Sequence, residues 1–182
     1  RDRVVGNLDV WLELFEERAQ ATGAEVLWAR DGDEVARLLV DLARQHGVRK
    51  VVKSKSMLSE EADLNAAFAA AGIESIETDL GEYIIQLAGE TPSHIIAPAV
   101  HKTKEEVADL FVKHHGLPRQ SDITALAREA RAVLRQHFLS ADMGVSGANF
   151  LLAETGSAVL VTNEGNGRMV TTLPRLHVVI AG

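Results

Sequence analysis

The sequence predicts an α/β fold in which a mostly parallel sheet is flanked by helices and an antiparallel part lies near the C-terminal end. Three observations carry this expectation. Short apolar runs alternate with stretches of helical spacing. Gly23, Gly47, Gly72 and Gly116 mark the ends of the helical stretches. After Asp142 the helical spacing stops, and strand-like runs follow one another through glycine-rich turns. Strand–helix–strand units imply parallel strands joined by right-handed crossovers.

Leu8, Leu12, Phe15 and Ala19 recur at helical spacing and predict a helix over residues 7–22. Glu25 to Ala29 reads as a strand. Asp33 is expected to cap a second helix running to His46, with Val35, Leu38, Leu39 and Leu42 inward. Lys50-Val51-Val52 is a short buried strand. Ser59 is expected to cap a third helix, Glu60 to Ala71, whose acidic first turn suits the helix dipole. Ile73–Glu77 and His94–Ala97 are the next two strands. Thr103-Lys104-Glu105-Glu106 is a capping box that opens a helix to His115, and Ser121 to Ala141 is a long helix. Residues 150–153, 158–161 and 176–181 read as strands joined by tight turns, which suits hairpins. No repeat or low-complexity linker divides the chain, so one domain is expected.

A chain of 182 residues is long enough for a sizeable core. The net charge of −7 argues against phosphate-backbone binding, so no nucleic-acid partner is expected. No apolar run approaches the roughly 20 residues that span a bilayer, and the charged, then amphipathic, start does not resemble a secretory leader. The absence of cysteine excludes disulfides and cysteine-ligated zinc or iron–sulfur centres within these residues. It also fits a reducing, cytoplasmic compartment. The chain opens on Arg1 and stops at Gly182 directly after a strand-like run, so it is expected to be part of a longer protein.

Four groups of residues follow strand-like runs and carry the candidate chemistry. Lys53-Ser54-Lys55-Ser56 combines two cations with two hydroxyls, a plausible anion site whose bland alternative is a solvated loop. Asp79 and Glu82 are candidate acid, base or hydroxyl-orienting groups, although helix capping alone accounts for their spacing. His101 beside Lys102 offers a titratable pair, or a loop before the capping box. Glu154-Thr155-Gly156 and Asn163-Glu164-Gly165-Asn166-Gly167-Arg168 combine carboxylates, turn glycines and an arginine suited to clamping a carboxylate. Hairpin turns use the same glycines and asparagines but need neither Glu154 nor Arg168. Gly165-Asn166-Gly167 lacks the third dinucleotide glycine and is not expected to open a helix. Adjacent His114 and His115 do not chelate like an i, i+4 pair.

Taken together, Lys53 to Met57, Glu77 to Ile84, Pro98 to Thr103 and the run from Gly147 to Arg168 resemble the lactate utilisation protein B family, whose shared part is the LUD domain. The resemblance covers nearly the whole chain in order. It implies a fold similar to that of glucosamine-6-phosphate deaminase, ribose-5-phosphate isomerase and the CoA transferases. It also implies a part in oxidising L-lactate to pyruvate, and so in electron transport, with two partner subunits. Two four-iron (4Fe–4S) clusters would lie in a C-terminal ferredoxin-like segment, and none in this cysteine-free chain. The expected pocket is Lys53, Ser54, Lys55, Asp79, Glu82, Thr155, Gly156, Asn163, Glu164 and Arg168, holding a small carboxylate, with Glu154 and His101 managing a proton. All follow strand-like runs and are expected to converge on one edge of the sheet. The alternatives are a scaffold for the cluster segment and partners, or a sugar-phosphate or acyl-CoA enzyme of the related fold.

Overall fold

The computed structural model describes residues 2–91, 93, 97–162 and 164–182. Helices α1 (Asp2–Val5), α2 (Leu8–Ala21) and α3 (Gly32–Gln45) precede strand β1 (Lys50–Lys53). Helices α4 (Met57–Glu61) and α5 (Leu64–Ala70) lead to β2 (Glu74–Glu77). Helices α6 (Leu80–Ala88), α7 (Lys104–His115) and α8 (Ile123–Ser140) lead to β3 (Met143–Gly147). A hairpin of β4 (Phe150–Leu152) and β5 (Ser157–Val159), then helix α9 (Asn166–Thr172), come before β6 (Leu176–Ile180).

The fold is α/β. Its centre is a sheet in the order β2-β1-β3-β6, with every neighbouring pair parallel. Side chains alternate along a strand, so Val51 and Val52 enter different cores. Val51, Met143 and Val145 pack with Leu39 and Ala43 of α3 and Leu64 and Phe68 of α5. Val52 packs with Tyr83 and Ile84 of α6, Phe111 of α7, Leu134 and Phe138 of α8 and Val170 of α9. Helices on both faces explain why β1 carries no outward polar stripe.

Local chemistry sets most helix starts. The Asp31 carboxylate accepts the Glu34 N–H at 2.8 Å, so Asp31 caps α3 and the expected cap, Asp33, sits in its first turn. The Thr103–Glu106 capping box opens α7 as expected. Asp122 caps α8 by accepting the Ala125 N–H at 2.9 Å. The expected third helix is two. Ser56 caps α4, Ser59 lies buried inside it, and the chain turns at Asp63, whose φ of 44° interrupts the helix before α5.

Residues 25–29 contain no strand. The strand expected at His94–Ala97 falls on His94, Ile95 and Ile96, which lie outside the described residues.

The C-terminal third departs most from expectation. The antiparallel part is confined to β4 and β5, where Phe150 pairs with Val159 and Leu152 with Ser157. Met143–Gly147, which precedes the first strand expected after Asp142, is β3 at the centre of the sheet. β6 runs parallel to it, from Met143 opposite Leu176 to Gly147 opposite Ile180. The crossover between them includes α9, so Gly165-Asn166-Gly167 does open a helix. The hidden cause is Gly144. A Cβ there would lie 2.0 Å from the Val170 carbonyl oxygen, so α9 rests directly on the strand backbone. Gly144→Ala is therefore expected to destabilise the fold by about 3 kcal/mol or more, the upper range for overpacking a core, read as a lower urea midpoint with an unchanged m-value.

Candidate ligand-binding crevice

The strand order reverses between β1 and β3, because the chain runs outward from β1 to β2 and then returns to build the other half of the sheet. In open parallel sheets ligands bind beyond the carboxyl ends of the strands at this reversal. A crevice of ≈ 450 Å³ lies there. Ser54, Lys55 and Ser56 after β1 form one wall, Gly147 and Asn149 after β3 another, and Asn166 at the start of α9 a third. The Ser54 N–H donates to the Val145 carbonyl at 2.9 Å, which extends the β1–β3 ladder to the crevice floor. Gly147 leaves room for Ser56, since a Cβ there would sit 3.0 Å from Ser56 Oγ.

Of the expected pocket residues, Ser54, Lys55 and Asp79 line this crevice. Asp79 also caps α6, its Oδ1 accepting the N–H groups of Gly81 at 3.1 Å and Glu82 at 3.3 Å. Glu164 lies nearby. Burial and then Asp79 push its carboxyl upward, opposed by a backbone hydrogen bond from Leu80 and by Lys55. Glu82 lines a separate acidic cleft of ≈ 350 Å³ together with Glu60, Asn65, Glu77 and Gln86.

The other expected residues that the structure describes do not line the crevice. Lys53 shares the face of Val51 and has no solvent access. Its Nζ donates to Glu77 Oε1 at 2.7 Å and to Asn65 Oδ1 at 3.0 Å. It is an internal cation rather than part of a crevice wall. His101 is exposed and pairs with Glu90 at 2.8 Å. Glu154, Thr155 and Gly156 form the β4–β5 turn and line neither cavity. There Gly156 has a φ of 67°, and a Cβ on it would meet the Ala19 N of α2 at 2.2 Å. Arg168 is exposed on α9, and Asn163 lies outside the described residues.

Two polar pairings went unread in the sequence. Ser146 Oγ lies 2.8 Å from His177 Nε2 across β3 and β6, and burial lowers the His177 pKa. Tyr83 Oη lies 2.9 Å from His115 Nε2, and His115 Nδ1 lies 2.8 Å from Glu129 Oε1, tying α6 to α7 and α8. Burial, then Glu129, pushes the Tyr83 hydroxyl up to about 12. His115 and Glu129 stand 14 residues apart, which no local spacing rule detects.

Glu82 is the most perturbed carboxyl of the acidic cleft. It is 3% exposed and its Oε1 has no hydrogen-bond partner. Burial first, then Glu77, Glu60 and Asp79, push its pKa up to about 8, and Lys55 opposes them.

A family model described as the LUD domain matches residues 12–182. The chain belongs to the LUD-domain family. The chain is 45% identical over 183 aligned positions to lactate utilization protein B of Bacillus licheniformis, covering 100% of the chain and 38% of that protein. It is 43% identical to lactate utilization protein B of Bacillus subtilis strain 168, again over 100% of the chain and 38% of the relative. A third relative, 43% identical over 100% of the chain and 38% of its own length, is the uncharacterized electron transport protein YkgF of Escherichia coli strain K12. The chain thus spans 38% of the length of these relatives. No solved structure matches it. No described helix is long and apolar enough to cross a membrane, and no three or more His, Asp or Glu among the described residues are placed to hold a metal ion.

The buried charges yield two measurable expectations. Lys53→Met leaves Glu77 buried without its cation and is expected to cost about 3–5 kcal/mol in chemical denaturation, while adding Glu77→Leu restores most of the loss. Glu82 has a folded-state pKa raised from 4.5 to about 8. Its contribution is therefore complete below pH 4.5 and is lost as pH rises to about 8. Unfolding free energy measured across this window is expected to decline in the native sequence and to decline less in Glu82→Gln.

Proposed function

We propose that this chain is the LUD portion of an iron–sulfur oxidoreductase subunit that takes part in oxidising L-lactate to pyruvate with two partner subunits in the cytoplasm. Its crevice between β1 and β3 binds the small carboxylate. The observation that carries the reading is Lys55, a partly exposed cation standing at the strand-order reversal among hydroxyl and amide groups. The names of the relatives supply the substrate class, and that of the Escherichia coli relative supplies electron transport.

In this reading the Lys55 ammonium pairs with the ligand carboxylate. The Ser54 and Ser56 hydroxyls and the Asn166 amide lie in the same walls and are suited to orienting its hydroxyl or carbonyl oxygen. Four-iron clusters are held by cysteine thiolates, and this chain has no cysteine. Its residues therefore do not fit such a cluster. The two four-iron clusters are assigned to the part of the longer protein outside these residues, and no electron-transfer step is drawn through the chain itself.

A second reading, a scaffold that organises the rest of the longer protein, draws on the hairpin, where Phe150, Leu151 and Leu152 are all exposed. Contiguous exposed apolar surface marks interaction sites.

The test is anaerobic expression of the full-length protein with its partners, followed by iron analysis and L-lactate-dependent reduction. Bound iron and lactate-dependent reduction are expected. Lys55→Ala is expected to weaken L-lactate binding about tenfold or more, the worth of one charge-assisted hydrogen bond of about 1.5 kcal/mol. Absence of iron together with absence of any lactate effect overturns the proposal. Unchanged binding in Lys55→Ala removes the crevice from it, and loss of reduction with binding intact in Phe150→Ser favours the scaffold.

A further inference from the structure

Lys55 and Glu82 form the partition between two cavities. Lys55 lines the crevice, and Glu82 lines the acidic cleft. Lys55 Nζ stands 3.8 Å from Glu82 Oε1. That separation is too long for a hydrogen bond, which agrees with Oε1 having no hydrogen-bond partner. The two ends differ in freedom. The Lys55 side chain is 45% exposed and the Glu82 side chain 3%. The cation can swing toward a ligand, whereas the carboxyl stays where α6 holds it.

The surroundings fix what happens to charge when an anion arrives. Glu82 on α6 faces Glu60 of α4, Glu77 of β2 and Asp79 at the α6 cap, with Lys55 as the opposing cation. The other nearby lysine, Lys53, is committed to Glu77 and Asn65. Glu164 also feels Lys55 and Asp79. A ligand carboxylate on Lys55 adds one more negative charge to this group. A buried, ionised Glu82 would then share a single lysine with the ligand. Like charges at such a site do not both remain ionised.

We infer that Glu82 takes up a proton when a small carboxylate binds Lys55, so that the crevice accepts its ligand as an anion together with one proton drawn through the acidic cleft. This rests on the crevice being the carboxylate site proposed above. The Glu82 carboxylate, one proton and the ligand anion give a neutral Glu82 carboxyl and a Lys55–ligand ion pair. No covalent bond other than the O–H of Glu82 forms, and the charge between the two cavities is unchanged. Glu82 acts through Lys55 and is a positioning and specificity residue. It favours ligands with one negative charge, because among the described residues Lys55 is the one cation that lines the crevice.

The test is titration calorimetry of the full-length protein with L-lactate between pH 7.5 and 9, a window set around the Glu82 pKa of about 8. Each pH is run in two buffers of different ionisation enthalpy, so that proton uptake is read directly. Uptake approaching one proton per L-lactate is expected as pH rises through about 8, with affinity falling up to tenfold per pH unit above it. Glu82→Gln is expected to bind with no proton uptake and little pH dependence, while Glu164→Gln keeps the native linkage. Binding of L-lactate by the native protein without proton uptake overturns this inference and leaves the carboxylate site standing. Linkage retained in a Glu82→Gln variant of native far-ultraviolet circular dichroism also overturns it. No L-lactate binding at any pH overturns the carboxylate site, and this inference with it. If Glu82→Gln does not fold, the two-buffer measurement on the native protein decides the question alone.

Discussion

Lys53 is a charged side chain in the middle of a parallel sheet with no access to water. An unpaired ammonium there would be untenable, because desolvating an ion costs several kcal/mol even after relaxation. The surrounding chain answers that demand. Glu77 lies directly opposite on β2 and Asn65 reaches over from α5. Ser75 Oγ donates to the same Asn65 oxygen at 2.8 Å, and Gln86 accepts the Glu77 N–H at 3.0 Å. The pairing therefore fixes β1, β2, α5 and α6 relative to one another. It also fixes where β1 ends, and the next three residues are the first wall of the crevice.

The same pair borders the acidic cleft, which Glu77 lines. Glu77 is engaged by Lys53, yet its field still reaches Glu82. Asp79 holds the start of α6 and contributes to both sides, lining the crevice while raising Glu82. The Tyr83–His115–Glu129 line then locks α6 against α7 and α8. Glu82 sits on a helix braced at its first turn and against its neighbours, so its carboxyl has little room to relax away from the charges around it.

What could be read in advance was whatever depends on near neighbours in sequence. The capping box at Thr103, the long helix α8 and the glycine stops at Gly72 and Gly116 are local devices, and they appear where expected. The break at Asp63 was not legible, because neither proline nor glycine announces it. β3 was passed over because two glycines in Met143–Gly147 weaken the strand signal, and one is there to admit α9. The direction of β6 was missed for a related reason, since a short Gly- and Asn-rich helix looks like a turn. The site followed this pattern. Ser54 and Lys55 after β1 and Asp79 after β2 reach the crevice, because a parallel sheet brings its strand ends together. Glu154 to Gly156 follow a strand of the separate hairpin, so the same inference failed there. Lys53 looked like its neighbour Lys55, but β1 ends between them. The pleat of the strand holds Lys53 inward, while Lys55 lies beyond it and turns to the crevice.

Gly144 sets a distance as well as permitting one. With no side chain on the strand at this point, the height of α9 above the sheet is set by the Val170 carbonyl against Gly144 and by Val170 packing with Val52. Asn166, at the start of that helix, forms part of the crevice wall. The aperture is thus gauged by a single missing methyl group, and a lineage that filled it would have to rebuild the entrance to its pocket as well as its core.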